Sequence, residues 1–391
     1  MGLGLPVLSS WALQSCVSGE EDIYPNLPSG FSGKVLIIGA GAAGLAAGYA
    51  LQRQGIDFQI IEAAPVYGGR LKQSSGFADF PIDLGAEWIQ THPSILASIL
   101  KNPNLDEKID FITYNPQSVQ VWNEDALRTH NHIRHHYHEW KFKDTTWYGF
   151  FERYIVPHVA DKLVLGKPVE LVTYGDFGVS ATTSDGTRFT GDKVLVTLPI
   201  KIMQQRGVTF FPDLPAAKWQ AVDQVFMGDG LKIFVEFGER FYPDLLGFGS
   251  VLEALGDEEK FVYDAAFRKD SGQHILGLFA INAQAAAYTL LPRPQDMIEK
   301  FLVELDEMFD GRATPNYRRH IIQNWSAEPY IRGAYSYDFE KYSEDLVKAL
   351  QEPVVERVYF AGEALTVDHQ ATVHGACASA YTALARMLQE A

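Results

Sequence analysis

The stretch Lys34-Val35-Leu36-Ile37-Ile38-Gly39-Ala40-Gly41-Ala42-Ala43-Gly44 decides the fold. Val35 to Ile38 are aliphatic and largely β-branched, the composition of a buried strand. A G-x-G-x-x-G follows without a gap, built on Gly39, Gly41 and Gly44, with Ala43 inside it. Leu45 to Gln54 is Ala-rich and helix-like, Gly55 is a stop signal, and Phe58 to Ile61 is a second apolar strand that runs into Glu62. Strand, glycine turn, helix and strand make a βαβ unit, which crosses over right-handed into a parallel sheet. Gly39 and Gly41 permit a tight turn and close approach of backbone to a pyrophosphate, while the helix N-terminus offers unpaired N–H groups and a positive dipole end. Glu62, about 20 residues on, is the acid that accepts from a ribose hydroxyl in such units. These residues predict a dinucleotide site and leave NAD or FAD open.

Working outward, 391 residues with 47% hydrophobic and 13% aromatic content suffice for two closely packed domains. A formal charge of −16 excludes a nucleic-acid backbone as partner, because such binding rests on clustered Lys and Arg. The two cysteines, Cys16 and Cys377, give neither a disulfide framework nor a thiolate metal site. Cys377 lies in a run of small residues suited to helix packing. Gly2 to Gln14 is mostly apolar but too short to span a bilayer, and Leu13-Gln14-Ser15-Cys16 resembles a bacterial lipoprotein cleavage box, in which the cysteine receives the lipid. The expectation is a periplasmic or membrane-anchored lipoprotein with Met1 internal to a longer precursor; without an export signal the protein is cytoplasmic. His130, His132, His135, His136 and His138 raise the question of a metal, but no cysteine or H-E-x-x-H pattern accompanies them, and a solvated histidine-rich face is expected.

Along the chain, a turn-rich linker precedes Lys34, and Thr91 to Val156 reads as a mostly helical insertion dense in aromatics. Val169 to Val172, Val179 to Thr183 and Lys193 to Thr197 read as strands returning to the nucleotide-binding layer. Leu231 to Phe237 and Ile275 to Asn282 are further strands, Arg293 to Phe309 is a helix, and a last strand at Arg357 to Phe360 precedes a helix from about Val373 to Gln389.

Four ordered blocks add a family likeness. Gly68-Gly69-Arg70, Asp83-Leu84-Gly85-Ala86-Glu87-Trp88-Ile89, Val358-Tyr359-Phe360-Ala361-Gly362-Glu363-Ala364 and Ala371-Thr372-Val373-His374-Gly375-Ala376 resemble the motifs of the flavin amine oxidase superfamily. The likeness runs from Lys34 to Leu388 and is closest to the polyamine oxidase and lysine-specific demethylase branch. It implies an α/β fold: a Rossmann-like FAD-binding domain of the glutathione-reductase type (residues 31–92, 160–212 and 330–391) and an α+β substrate domain (93–159 and 213–329), both discontinuous, after a 1–30 leader.

The resemblance implies a cofactor surface made by Gly39, Gly41, Ala43, Gly44, Glu62, Gly69, Arg70, Gly85, Ala86, Glu87, Trp88, Val169, Gly362, Glu363, Thr372 and Val373. Arg70 would lie by the flavin and phosphates, Val169 would meet adenine through its backbone, and Glu363 would contact the ribityl and pyrophosphate region. The helix begun by Thr372 and Val373 would point at the flavin. Lys232 matches the family lysine that holds a water against flavin N5; the bland alternative is an edge-strand lysine whose stem reaches solvent. Tyr335 and Trp325 match the aromatic walls over the flavin. Ala334 stands where monoamine oxidases carry the attaching cysteine, so FAD is expected to be non-covalent, and Thr372 replaces the second tyrosine of their cage. The insertion is shorter than the family's usual substrate domain.

The implied reaction is oxidation of a C–N bond of a small amine, with a hydride passing to the flavin and with dioxygen or another acceptor taking the electrons. The amine class (polyamine, monoamine or amino acid) is open; an amino acid would call for an arginine, with Arg134, Arg153 and Arg332 as candidates. C–C desaturation and a lipid-anchored FAD-binding protein without turnover are the alternatives.

Overall fold

The computed structural model describes residues 22–28, 30–102, 105, 109–123, 125–132, 139–249, 260–337 and 343–389. The Cys16 box therefore lies outside the described residues, as do His135, His136 and His138.

Lys34–Ile38 forms β1, Ala42–Gln54 forms α1 and Asp57–Ile61 forms β2. β1 pairs in parallel with β2 and with Lys193–Val196, which pairs with Val358–Phe360; Leu163–Val164 extends the other edge. The five-stranded order is Val358–Phe360, Lys193–Val196, β1, β2, Leu163–Val164. Chirality of the crossover places α1 on one face. There it shares a core with the Val373–Gln389 helix, and Leu45, Ala46, Phe58, Tyr359, Cys377 and Tyr381 are buried together. Gly48 keeps α1 close, since a Cβ there would stand 2.7 Å from Ile60 Cδ1. Gly55 ends the helix in the left-handed region at φ 68°, as its place after the apolar run predicts.

Val169–Gly175, Gly178–Thr183, Arg188–Gly191 and Thr209–Phe211 form a separate four-stranded sheet over the other face; of the strands expected to return to the nucleotide-binding layer, only Lys193–Val196 enters it. A second large sheet has the order Tyr317–Asn324, Gly230–Phe237, His274–Ile281, Lys260–Asp264, Leu245–Phe248, Val119–Asn123, Ala126–Thr129. Its outer face, turned away from the parallel sheet, is covered by the amphipathic helix Pro294–Met308, which buries Met297, Ile298, Phe301 and Leu305 against Ile233, Val235 and Leu278. No described helix is long and apolar enough to cross a membrane.

The mostly helical reading of Thr91 to Val156 is corrected. Four strands cross it: Phe111–Tyr114, Val119–Asn123, Ala126–Thr129 and Glu139–Phe142. Val119 and Val121 are buried while the intervening Gln120 is not, the period of two that belongs to a strand. The partner that stabilises this strand, Leu245–Phe248, is over a hundred residues away, and nothing in the local sequence announces it.

Candidate active site

A cavity of about 1060 Å³ runs between the parallel sheet and the seven-stranded sheet. It exceeds the roughly 300–1,000 Å³ of ordinary small-molecule sites, leaving room for a dinucleotide and a second ligand. Every expected site residue lines it except Gly44.

The glycines divide their work. Gly39 has φ 107°, and a Cβ there would stand 2.7 Å from Thr197 Oγ1; at Gly44 it would stand 1.9 Å from Gly39 O. The fold itself requires both, Gly44 for close passage of α1 over the turn and not for contact with a ligand. Gly41 differs. Its φ of −78° suits any residue, and a Cβ there meets nothing nearer than Gly68 O at 4.0 Å. Because Gly41 lines the cavity, that carbon would stand in it. This is a cradle that a side chain would fill, at an α1 N-terminus with no side-chain cap, which fits a pyrophosphate.

Glu62 is buried beside this turn, its Oε2 accepting from Ala40 N at 2.6 Å and its Oε1 from Ala64 N at 2.8 Å. Burial raises its pKa, against which these amides work. Each oxygen keeps a lone pair for a ribose hydroxyl. The Gly68-Gly69-Arg70 turn is tied to Ala40 through Gly68 N and Ala40 O at 2.8 Å. Arg70 Nη1 donates to Glu363 Oε1 at 2.9 Å and to Ala334 O at 3.0 Å. Glu363 also accepts from Ser336 Oγ at 2.6 Å and Ala371 N at 3.1 Å, so its carboxylate braces the C-terminal motif to the start of the last helix. Thr372 Oγ1 accepts from Gly375 N at 2.9 Å, capping that helix at the cavity wall. The residues present fit FAD: an uncapped helix end for phosphates, a buried acid for ribose, and Val169 at the far end of the same cavity.

The opposite end is aromatic. Trp325 directs its indole N–H away, to Leu84 O at 3.0 Å, and gives its ring to the cavity; Tyr335 stacks near Phe279 with centroids 6.5 Å apart. Lys232 lies in Gly230–Phe237, an inner strand, so the edge-strand alternative falls. Its side chain is only 5% exposed. Nζ donates to Glu87 Oε2 at 2.7 Å and to Asp83 O at 3.2 Å, which leaves one of three N–H groups for the cavity.

Glu87, expected at the cofactor with its block, lines the cavity, but its oxygens are occupied by protein. Besides Lys232 it pairs with Lys141 Nζ at 2.5 Å and accepts from the Tyr263 hydroxyl. Burial acts against its charge, yet Lys141 and Lys232 hold its carboxyl down at about 2. Asp83 alongside is pushed well up by burial and by the Glu87 charge. Lys141, Tyr263 and Tyr114 escape sequence reasoning. Lys141 sits between Trp140 and Phe142 in a short strand, and a lysine flanked by aromatics carries no mark of burial.

Of the arginines expected for a carboxylate, Arg134 lies outside the described residues, and Arg153 and Arg332 do not line the cavity. Among the described residues no group of three His, Cys, Asp or Glu could hold a metal.

A model of the flavin-containing amine oxidoreductase family matches residues 42–141 and 153–388. The human lysine-specific histone demethylase 2 is 24% identical over 437 residues, covering 90% of this chain and 53% of that protein. Polyamine oxidase 4 of Oryza sativa subsp. japonica is 29% identical over 207 residues, covering 53% of this chain and 41% of that one. The chain thus spans about half or less of the length of these relatives. Among solved structures, cyclohexylamine oxidase from Brevibacterium oxydans IH-35A superposes with a TM-score of 0.74 at 16% identity over 92% of this chain and 99% of that one. Putrescine oxidase bound to putrescine gives 0.73 at 15% identity over 93% and 100%.

Proposed function

Because the chain belongs to the flavin-containing amine oxidoreductases, we propose that it oxidises the C–N bond of a small primary or secondary amine. As a member it is a flavin oxidoreductase with FAD as cofactor. The observation that carries the amine reading is the buried Lys232, held by Glu87 at the aromatic end of the cavity whose other end is the dinucleotide cradle.

FAD supplies the acceptor for a hydride equivalent from the carbon next to nitrogen. Trp325, Tyr335, Phe261 and Phe279 surround the amine's apolar body and exclude water. An apolar wall also disfavours the protonated amine, whose pKa in water is near 10. The free N–H of Lys232 orients a water at the cavity wall; that water hydrolyses the imine product to carbonyl compound and released amine. Arg70, tied to Glu363 and Ala334, keeps the C-terminal motif in place through turnover. Dioxygen or another acceptor would take the electrons from the bound cofactor, with hydrogen peroxide as product in the first case. Ala334 supports non-covalent FAD, since the cysteine among the described residues, Cys377, is buried in the last helix and does not line the cavity.

The test is anaerobic absorbance of FAD-loaded protein titrated with monoamines, polyamines and L-amino acids. Bleaching by an amine is expected; an unbleached flavin across the whole panel overturns the reading in favour of C–C chemistry.

A further inference from the structure

The Glu139–Phe142 strand places Lys141 in the interior, its side chain 3% exposed. Its Nζ lies 2.5 Å from Glu87 Oε1 and within 4.7 Å of the Trp88 ring centre, 5.1 Å of Tyr263 and 5.3 Å of Tyr114. Three rings within the roughly 6 Å reach of cation–π attraction, closed by a carboxylate, form an ammonium cage. Three of its parts, Glu87, Trp88 and Tyr114, also line the cavity, whereas Lys141 does not. The cage opens toward the substrate side and is filled from behind. Its carboxylate is the same one that holds Lys232, so cage and reacting end share one residue.

We infer that Lys141 is a specificity-determining residue: its ammonium occupies from within the protein the subsite that would take a second ammonium of a diamine or polyamine, and so restricts the enzyme to monoamines. The inference rests on the amine-oxidase reading and narrows its substrate class. Lys141, Lys232 and Lys269 cluster around Glu87, and Asp83 is pushed toward its neutral acid by burial and by Glu87. A second positive charge entering this end meets repulsion as well as filled space.

The experiment compares FAD-loaded wild type, Lys141→Met and Lys141→Ala. Lys141→Met removes the charge and keeps the cage filled; Lys141→Ala removes both. The readouts are the ratio of kcat/KM for α,ω-diamines of three to eight carbons to that for butylamine, and the shift in melting temperature with methylammonium. Wild type is expected to discriminate against diamines. The ratio should rise in Lys141→Met and by about tenfold or more in Lys141→Ala, and methylammonium should stabilise Lys141→Ala but neither of the other two. An unchanged ratio in both variants, with butylamine still oxidised, overturns the inference, and so does a wild type that prefers diamines. If neither monoamine nor diamine reduces the flavin of any form, the amine-oxidase reading fails; the methylammonium shift then decides on its own whether the cage is an ammonium site. Should Lys141→Ala not fold, Lys141→Met carries the kinetic test, and recovery of soluble Lys141→Ala by methylammonium during expression replaces the melting test.

Discussion

Gly41→Ala separates what the cofactor requires from what the fold requires. At φ −78° and ψ −172° alanine is unstrained, and its Cβ finds no protein atom nearer than 4.0 Å. The apoprotein should therefore be unharmed or gain about 0.4–1 kcal/mol, because alanine restricts the unfolded chain. The same methyl stands in the cradle, and forcing a filled space to accept it costs about 1–3 kcal/mol, roughly a 5- to 150-fold weaker Kd for FAD. Titration of apoprotein with FAD by fluorescence quenching gives the affinity, and thermal melting with and without flavin gives the stability. At a flavin concentration one hundred times the wild-type Kd, linked stabilisation is about 2.7 kcal/mol for wild type and about 1.4 kcal/mol for a variant tenfold weaker. Gly44→Ala is the contrast: its Cβ would stand 1.9 Å from Gly39 O, so the apoprotein itself should lose stability. An unchanged FAD affinity in Gly41→Ala, or an apoprotein that melts earlier, refutes the assignment of the cradle.

Lys232→Met, which leaves Glu87 paired with Lys141, should slow imine hydrolysis, and turnover with it, by roughly 10²–10⁴ with FAD affinity retained; rapid-mixing kinetics check it, and an undiminished turnover argues that the lysine is structural only. Glu87 has its folded pKa depressed to about 2. Its stabilisation is therefore present above the ordinary value near 4.5 and is lost as pH falls toward 2, a contribution on the order of 3 kcal/mol. Glu87→Gln should be less stable at neutral pH and should lose this acid-limb slope, read from denaturant melts between pH 2 and 6; parallel curves for the two proteins contradict the pairing. Acid precipitation of the holoenzyme should leave all flavin in the supernatant, and flavin retained in the pellet shows a covalent link despite Ala334.

Much of the cofactor side was legible because its signals are local. A strand, three glycines, a helix and an acid fall within thirty residues, and Lys34–Ile38, Asp57–Ile61 and Val373–Gln389 form where their patterns put them. The motif puts Gly44 with the ligand-binding glycines because spacing alone does not reveal that this glycine serves packing. The substrate side was less legible. Glu87 meets a lysine 145 positions away in Gly230–Phe237 and another in Glu139–Phe142, pairings fixed by sheet register and not by spacing. The insertion misled for a related reason: its strands are four or five residues long, and their alternation is weak until the distant partner is known.

The cradle draws Gly39, Gly41 and Glu62 from one part of the chain and Gly362, Glu363, Thr372 and Val373 from another some three hundred residues later. A ribosome delivers Lys232 and the strands around it well before it delivers the strand Val358–Phe360 that closes the parallel sheet and the helix that follows. A nascent chain therefore carries a substrate end with no finished place for flavin, and capture of the cofactor waits on these later elements. Loss of the Val373–Gln389 helix by proteolysis should thus remove the flavin site and strip the cover from α1 together, giving a protein that is both colourless and destabilised.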